Sequence, residues 1–577
     1  MQTVEEVEAS ETQQGESQPE RGIIGALERR KVLVVLVLVL AGFWARVYKT
    51  DEVGLCEDET NKIFAVRSYL QGDLTANAEH PMLMKLMCLG SLKAASAWNR
   101  LTGNLSRASL SEETALRMPN AIFGALTVIP LFLFAVALFG FRVGLFASVF
   151  WSVGVNSVWF NRIGKEDTLL VFFMLLGFYF YNRAKNRPAS DAAGEEMDYA
   201  LSGAAFGLML ASKYFPHYYG LNALYYHLAG YDSRYNRPFT KRTFTTHVAA
   251  LLLTFVVFNF AAVVPQTWRF NWAFINESLI THHGYLLMDK LYINEMSQTP
   301  GGNPWYFYLL FLAVKLPAPL VVAFVLGAIE AFRIRAPRPS ARGAVLLRMM
   351  IVFWLGPMSF VGAKWSRYIL AFLPFVYIAA GLGVDGVWRW LATLVSRLGG
   401  AGRIRKTQLL RWSAAAAVVA IFVVGPAVLS LRSLPHASFY VNSLGGGRVG
   451  YFFPHDEFYD VGARESIRYI AERAPYGARI ASEIPGVLGY YLERYGRPDI
   501  RSEIISNPEF DFAKSQPDYM ILQKGRLYIE NHDEFLMIER NYRPVQESIY
   551  DGAVTSQVYD TRPKGDPPHP ETFHVAR

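Results

Sequence analysis

The sequence contains little cysteine and little charge. Its 577 residues include only two cysteines, Cys56 and Cys88, and charged residues make up 18% of the chain. Two cysteines exclude a disulfide framework and a Cys-rich zinc site. A single Cys56–Cys88 bridge on an oxidising side and two unrelated thiols both stay open. No basic segment interleaves with aromatic residues on a polar face, which excludes nucleic-acid binding.

Long apolar runs are what the sequence has instead. Hydrophobic residues make up 52% of the chain, and aromatic residues make up 14%. Runs of about twenty apolar residues recur, and such runs can cross a bilayer as helices. This pattern predicts an α-helical polytopic membrane protein with about eleven transmembrane helices. The predicted spans are Val32–Trp44, Leu116–Phe139, Phe141–Phe160, Thr168–Tyr181, Tyr199–Lys213, Tyr218–Leu228, Phe244–Val264, Trp305–Glu330, Val345–Val361, Tyr368–Trp388 and Ser413–Leu431.

The basic residues indicate which side of the membrane each loop occupies. The net charge is +8, and Lys and Arg gather on the cytoplasmic side of membrane proteins. Every loop that the alternation of spans places inside is rich in Arg or Lys, as in Arg183, Lys185 and Arg187. The loop Pro265–Asn303, placed outside, has no such excess. We therefore predict a cytoplasmic N-terminus and a C-terminal domain outside.

Composition divides the chain into four parts. Residues 1–28 are predicted to be a disordered cytoplasmic tail, because Met1–Glu20 is acidic and rich in Gln and Ser. Residues 29–432 form the transmembrane domain, with outer loops at 51–115 and 265–303. Residues 433–561 are predicted to form a small extracytoplasmic α/β domain, and 562–577 a disordered tail. Its predicted helices and strands are Ala463–Ala474, Gly486–Tyr495, Arg479–Ser482, Tyr519–Leu522 and Thr555–Tyr559.

Charged residues recur in the loops predicted to lie outside. Charges at membrane depth are costly, so they usually pair or line a water-filled site. Each one also has an ordinary interpretation, since acids favour helix starts, Arg162 can cap a helix, Lys213 can snorkel and adjacent loop histidines are usually solvated. Their convergence on one face favours a functional site. They are Glu57-Asp58-Glu59, Glu79-His80-Pro81 with Lys85, Arg162 with Glu166-Asp167, Lys213, His282-His283, and Lys364 with Arg367.

The spacing of these residues resembles that of the GT-C glycosyltransferases that use a polyprenyl-phosphate sugar donor. Within them it is similar to the protein O-mannosyltransferase and aminoarabinose-transferase group. The resemblance covers about two thirds of the chain. It rests on Asp58-Glu59, Glu79-His80-Pro81, Arg162 with Asp167, Gly207 to Lys213, Asn303 to Pro317, and Arg367 to Pro374.

The resemblance implies that Asp58 is the catalytic base of an inverting transfer on the outer side of the membrane. It also implies a bacterial inner membrane, with the site facing the periplasm or exterior. Two positions depart from the aminoarabinose group. Asn61 stands where a cation is usual, with Lys62 one residue later, and His80 stands where that group has Lys. These departures leave the acceptor open among protein, lipid and glycan.

The chemistry of such a transfer explains the residue types. A sugar C1 bonded to phosphate has a good leaving group, so the reaction needs a base near the acceptor hydroxyl and positive charge on the departing phosphate. The catalytic candidates are Asp58, Glu59 and Asp167. Candidates for binding substrate or phosphate are Lys62, His80, Lys85, Arg162, Lys213, Lys364 and Arg367. Glu79, His282 and His283 are candidate ligands for Mg²⁺, Mn²⁺ or Zn²⁺.

Two other classes of protein compete with a hexose transferase that uses a mannose-like sugar. A transporter or lipid flippase would place charges and broken helices at the bilayer midplane, often in two corresponding halves. Here the acids lie in outer loops, and we find no internal repeat. A membrane anchor for the C-terminal domain would leave Asp58, Glu79 and Asp167 unexplained.

Overall fold

A helical bundle makes up most of the chain, and a mixed α/β domain follows it. The computed structural model describes residues 23–103, 108–277, 285–288, 290–293, 302–398, 404–447, 453, 459–562 and 571–574. The helices of the bundle are Ile23–Arg29, Lys31–Val47, Glu57–Leu70, Met82–Leu101, Glu112–Leu126, Val128–Phe139, Phe141–Val153, Val155–Phe160, Asp167–Lys185, Ala192–Ser212, His217–Leu228, Lys241–Phe258, Pro265–Glu277, Phe307–Lys315, Ala318–Arg333, Ala341–Met350, Gly356–Phe360, Leu373–Leu398, Ile404–Val419 and Gly425–Arg432.

The helices agree with an integral membrane protein. Within the described residues, five helical stretches are long and apolar enough to cross a bilayer: Glu112–Phe139, Lys241–Phe258, Ala341–Phe360, Leu373–Arg397 and Thr407–Arg432. Each of the predicted spans overlaps a helix. The polytopic helical fold is therefore confirmed, and the number of about eleven spans stays a prediction.

The two loops predicted to lie outside contain regular structure. The loop at 51–115 contains the helices Glu57–Leu70 and Met82–Leu101, of 14 and 20 residues. The loop at 265–303 contains the helix Pro265–Glu277 and an antiparallel hairpin of β1 (Tyr285–Leu287) and β2 (Lys290–Tyr292).

Two of the long apolar helices contain a π-helical turn, and each turn is followed by Gly-Pro. The π segments are Ile351–Leu355, before Gly356-Pro357, and Ala420–Val424, before Gly425-Pro426. Proline has no backbone N–H and its ring clashes with the carbonyl four residues earlier. A wider turn before the proline relieves that clash, which gives the π turns a local cause.

Close backbone contact holds two helices of the bundle together. A Cβ atom added at Gly327 would lie 1.7 Å from the carbonyl oxygen of Ala379, and one added at Gly383 would lie 2.0 Å from that of Ala323. Only glycine fits at these two positions. The helices Ala318–Arg333 and Leu373–Leu398 therefore pack through small residues, as membrane helices commonly do.

The C-terminal domain contains a six-stranded mixed sheet. The strands are β3 (Arg479–Ser482), β4 (Arg501–Ile504), β5 (Tyr519–Gln523), β6 (Pro544–Tyr550), β7 (Ala553–Asp560) and β8 (Glu571–His574), and the helices are Ala463–Arg473, Pro485–Arg494, Phe512–Ser515 and His532–Asn541. The strand order is β4-β3-β5-β7-β6-β8. β3 pairs in parallel with β4 and β5, β7 pairs antiparallel with β5 and β6, and β8 is parallel to β6.

The small α/β domain is confirmed, and its end differs from the prediction. We predicted a disordered tail over 562–577, whereas β8 lies within that range and pairs with β6 through Gln546–Ile549. The free edge of β6 supplies backbone partners that a sequence pattern alone does not reveal. Residues 1–22 of the predicted N-terminal tail lie outside the described residues, whereas residues 23–28 were predicted to be disordered and instead belong to the helix Ile23–Arg29.

The α/β domain packs directly on the loop at 51–115. The Leu55 N–H donates to the Tyr491 hydroxyl at 2.7 Å. Tyr490 donates to the Glu112 carboxylate at 2.6 Å, and Arg494 forms an ion pair with Glu113 at 2.7 Å. These contacts place the domain against the loop that carries Asp58.

Candidate active site

The helix Glu57–Leu70 begins with three acids in its first turn. Glu57, Asp58 and Glu59 follow Cys56, which occupies the N-cap position. Unpaired N–H groups and the helix dipole favour negative charge there. The acids therefore help to form the helix, and the contacts of each carboxylate separate a structural role from a chemical one.

The Asp58 carboxylate forms an ion pair with Lys165 and stays partly open. Lys165 contacts Oδ2, while Oδ1 has no hydrogen-bond partner among the described residues, and the side chain is 27% exposed. Burial raises the pKa of this carboxyl, but the charges of Lys165, Arg367 and Lys62 outweigh burial and hold the pKa well below its usual range. Asp58 is therefore an ionised, accessible carboxylate surrounded by cations.

The neighbouring carboxylate of Glu59 is fully enclosed. Arg117 contacts it with Nε and Nη2 at 2.7 and 2.6 Å, and the Gly164 N–H donates to it at 2.8 Å. The side chain is 1% exposed. Arg117 also donates to the carbonyls of Thr50 and Gly54. Glu59 thus ties the start of its helix to two other segments, and its position is structural.

Glu166 forms the centre of a second buried group. Its carboxylate lies 2.7 Å from Lys62 Nζ and 3.9 Å from His80 Nδ1, and neither Glu166 nor Lys62 is more than 1% exposed. Burial lowers the pKa of His80, Glu166 opposes this effect, and the charges of Lys62, Lys165 and Lys213 reinforce it. The His80 pKa lies well below its usual range, so the ring is neutral at pH 7.

Asp167 and Lys213 join the ends of two helices beside this group. Their side chains meet at 2.7 Å. Lys213 Nζ lies 4.6 Å from the ring centre of Phe215 and 4.7 Å from that of Tyr368. The guanidinium of Arg367, which belongs to the 3-10 segment Ser366–Ala371, lies 5.6 Å from the same Tyr368 ring. Aromatic faces hold both cations near the acids by cation–π attraction.

Lys85 and Glu79 belong to the turn before the helix Met82–Leu101. Lys85 donates to the carbonyls of Asn77 and His80 at 2.6 and 2.7 Å, and burial lowers its pKa to about 7. Glu79 accepts a hydrogen bond from Asn77. Its Oε2 is buried without a hydrogen-bond partner among the described residues. Lys85 therefore fixes the backbone of the turn, and Glu79 has a carboxylate oxygen available for a cation.

Four predicted site residues lie against backbone or outside the described residues. Arg162 donates to carbonyls at the end of the helix Lys31–Val47, including that of Tyr48 at 2.7 Å, so it caps this helix. Lys364 donates to the carbonyls of Asn303 and Val361, and burial lowers its pKa to about 8. His282 and His283 lie outside the described residues. Within the described chain, no group of three or more His, Cys, Asp or Glu could hold a metal ion.

The structure brings Asp58, Lys62, His80, Asp167, Lys213 and Arg367 into one region and adds two residues to it. Lys165 was not predicted, and Glu166 was seen only as a neighbour of Asp167. The signal was the run Gly164-Lys165-Glu166-Asp167 between two apolar spans, which holds three charges in a row. Three adjacent charges at a membrane surface need partners, and this criterion would have found Lys165.

Two parts of the chain match family models of membrane mannosyltransferases. Residues 107–262 match the family described as dolichyl-phosphate-mannose-protein mannosyltransferase. Residues 288–433 match the Alg9-like mannosyltransferase family. No curated protein matches the chain.

The fold as a whole is similar to solved structures of ArnT from Cupriavidus metallidurans. The apo structure is 15% identical in sequence, with 93% of this chain and 98% of that chain covered and a TM-score of 0.53. The structure bound to undecaprenyl phosphate is 16% identical, with 92% and 97% covered and a TM-score of 0.50. The likeness spans both the helical bundle and the α/β domain.

Proposed function

We propose that this chain, a membrane glycosyltransferase of the GT-C type, transfers a mannose-like hexose from a polyprenyl-phosphate donor to an acceptor hydroxyl at Asp58. Two mannosyltransferase family models and the GT-C fold support the enzyme class. The observation that carries the proposal is the partly exposed Asp58 carboxylate among Lys165, Arg367 and Lys62. The acceptor is a protein, a lipid or a glycan.

The reaction that fits this geometry is a single displacement. The acceptor oxygen attacks C1 of the sugar, and the bond between C1 and the phosphate oxygen breaks. The electron pair of that bond leaves with the lipid phosphate, and the acceptor proton passes to Asp58 Oδ1. Attack opposite to the leaving group inverts the configuration at C1. Because Asp58 is ionised, it is ready to accept the proton at neutral pH.

The cations around Asp58 would receive the departing phosphate. Lys165 and Lys213 each hold a carboxylate in the structure, at Asp58 and Asp167, and Arg367 lies beside the same aromatic ring as Lys213. Positive groups placed where negative charge develops stabilise the transition state. A donor phosphate would take the place of a carboxylate at one or more of these cations.

A divalent metal is a further part of the proposal. Among the described residues, the buried Oε2 of Glu79 has no hydrogen-bond partner, which suits it to act as a ligand of a cation. His282 and His283, the other proposed ligands, lie in the same outer part of the predicted topology. A bound Mg²⁺, Mn²⁺ or Zn²⁺ would neutralise negative charge on the donor phosphate. The residues of this chain that act without it are Asp58 as base and the lysines as phosphate contacts.

The proposed location is the outer face of a bacterial inner membrane. The loop charges support it, because the segments that carry Arg183, Lys185 and Arg187 lie at the opposite ends of the helices from Asp58 and Asp167. A polyprenyl-phosphate donor is anchored in the bilayer, so a site at the membrane surface can receive both this donor and an acceptor from outside.

A panel of lipid-linked donors would test the proposal. The purified protein in lipid nanodiscs is incubated with polyprenyl-phosphate hexoses and pentoses, and products are identified by mass spectrometry. Release of lipid phosphate with sugar transfer supports the proposal, and the Asp58→Asn variant serves as the inactive control. Movement of intact donor across vesicle membranes without sugar release would instead identify a flippase.

A further inference from the structure

We propose that Arg526 and Asp460 of the α/β domain position Asp58 by holding the first turn of its helix. The two residues meet Glu57, the residue immediately before Asp58. This inference rests on the proposed role of Asp58 as base. It goes further because it gives the C-terminal domain a part in the reaction, as a clamp on the helix that carries the base.

The start of the helix Glu57–Leu70 is completed from outside its own segment. The first N–H groups of a helix have no partner within the helix. The Glu57 N–H donates to Asp460 Oδ2 at 2.9 Å, across a sequence separation of 403 residues. An acid that caps a helix usually occupies the helix's own N-cap position. Here Asp460 of the α/β domain supplies the capping carboxylate for the Glu57 N–H.

Arg526 fixes the carboxylate that makes this contact. Its Nε and Nη2 lie 2.8 Å from Oδ1 and Oδ2 of Asp460, which is the two-pronged geometry of a strong Arg–carboxylate pair. Its Nη1 lies 2.6 Å from Glu57 Oε2. The side chains of Asp460 and Arg526 are 2% and 13% exposed, so water competes little for these contacts.

The backbone around Asp460 is held in an unusual conformation. Tyr459 has φ 37° and Asp460 has φ 54°, both in the left-handed region that non-glycine residues rarely occupy. Such conformations persist where the surrounding structure holds them in place. The Tyr459 ring packs edge-on against Trp159 at 6.3 Å, which anchors the segment to the helical bundle.

The clamp acts on Asp58 through the backbone. Asp58 follows Glu57 directly, so a movement of the first turn moves its carboxylate relative to C1 of the donor and to Lys165. A misplacement of about 1 Å can cost about a hundredfold in rate. Of the cations proposed to hold the donor phosphate, Lys165, Lys213 and Arg367 lie on other segments, so phosphate binding is expected to depend little on the clamp.

The test compares Arg526→Ala with Arg526→Lys in the full-length protein in nanodiscs. We expect Arg526→Ala to lower kcat about tenfold to a hundredfold with little change in KM for the donor. Arg526→Lys should lie between Arg526→Ala and wild type, because a Lys ammonium replaces only part of the Arg fork. Arg562→Gln is the matched control, since Arg562 pairs with Asp560 inside the same domain.

Amide hydrogen exchange tests the clamp in the absence of substrate, because it measures how firmly the first turn of the helix is held. We expect faster exchange at the first turn of the helix Glu57–Leu70 in Arg526→Ala and unchanged exchange in Arg562→Gln. Wild-type kcat and wild-type exchange in folded Arg526→Ala would overturn the inference. If Arg526→Ala does not fold, Glu57→Gln and Arg526→Lys answer the same question. If wild-type protein transfers no sugar, the proposed function fails, and the exchange result still decides whether the clamp exists.

Discussion

The helices Asp167–Lys185 and Ala192–Ser212 share an aspartate ion pair at each of their two ends, and the two pairs differ in the cation. At one end Asp167 meets a single lysine, Lys213, at 2.7 Å. At the other end Arg183 and Arg187 both contact Asp198, whose side chain is fully buried. The same two helices are thus joined by lysine at one end and by arginine at the other.

The difference distinguishes a candidate phosphate-binding site from a purely structural ion pair. A guanidinium holds a carboxylate with a rigid fork, whereas an ammonium on a flexible stem is a point charge that can turn to another anion. Asp58 and Glu166 also pair with lysines, Lys165 and Lys62. Glu59, which pairs with Arg117, is fully enclosed. The Asp58–Lys165 and Asp167–Lys213 pairs therefore mark the region where we expect phosphate to enter, whereas the Glu166–Lys62 pair is as enclosed as Glu59.

The largest expected effect comes from removing the base. Asp58→Asn keeps the size of the side chain. It should lower the transfer rate about 10²–10⁴-fold, because no carboxylate then takes the proton from the hydroxyl that receives the sugar. Initial rates with a polyprenyl-phosphate hexose measure it. Asp198→Asn, at the arginine end, is the control: it also removes the charge of a buried, paired acid, so it should lower stability, while the folded protein should keep its transfer rate. Near-normal transfer by folded Asp58→Asn would pass the role of base to another carboxylate.

Breaking the enclosed ion pair between Glu59 and Arg117, next to Asp58, should lower the stability of the protein. Glu59→Gln leaves Arg117 buried without its counter-charge, which typically costs about 3–5 kcal/mol. Thermal unfolding in detergent would show a lower midpoint. Lys514→Gln, which breaks the exposed pair with Asp511, should change the midpoint very little. A stable Glu59→Gln protein with a low kcat would instead support the predicted catalytic role of Glu59.

The pH dependence of the transfer rate should show the effect of Lys165 on the pKa of Asp58, the proposed base. The charge of Lys165 lowers the pKa of Asp58, while burial raises it. In Lys165→Gln the pKa of Asp58 therefore rises, and the acid limb of kcat/KM should move to higher pH. In wild type the rate should stay level down to acidic pH. An acid limb that does not move would separate Lys165 from Asp58 in solution.

The smallest expected effect concerns the metal. Chelation should lower transfer about tenfold and Mg²⁺, Mn²⁺ or Zn²⁺ should restore it, while Glu79→Gln should lose this response. Metal content of the purified protein, measured by mass spectrometry, gives a readout apart from activity. Transfer that is indifferent to chelation in metal-free protein would leave Glu79 as a structural residue of its turn.

Local sequence patterns predicted helices and strands better than they predicted contacts between distant residues. The strand Arg479–Ser482 was predicted with its observed bounds, and the predicted helix Ala463–Ala474 is observed as Ala463–Arg473. These features depend on neighbours in sequence. The strands β4, β6 and β8 were missed, because they depend on partners supplied by the sheet.

The candidate site was predicted by residue type and not by pairing. Asp58 and Lys213 were expected in it, yet the Lys165 partner of Asp58 lies 107 residues away in sequence. Arg162 was a candidate phosphate contact, and its contacts with carbonyls at the end of a helix show a cap instead. Both outcomes depend on which helix ends meet in space, which one sequence does not state.

The hydrogen bond from Glu57 to Asp460 also sets an order in time. Synthesis at about 5–20 residues per second needs about 20 to 80 s to pass from one residue to the other, given their separation of 403 residues. Throughout that interval the segment that carries Asp58 already exists, and its first turn lacks this partner. With the clamp that we propose, the nascent protein holds the Asp58 carboxylate in its final geometry only after the α/β domain has emerged and docked, so translation delays the onset of catalysis.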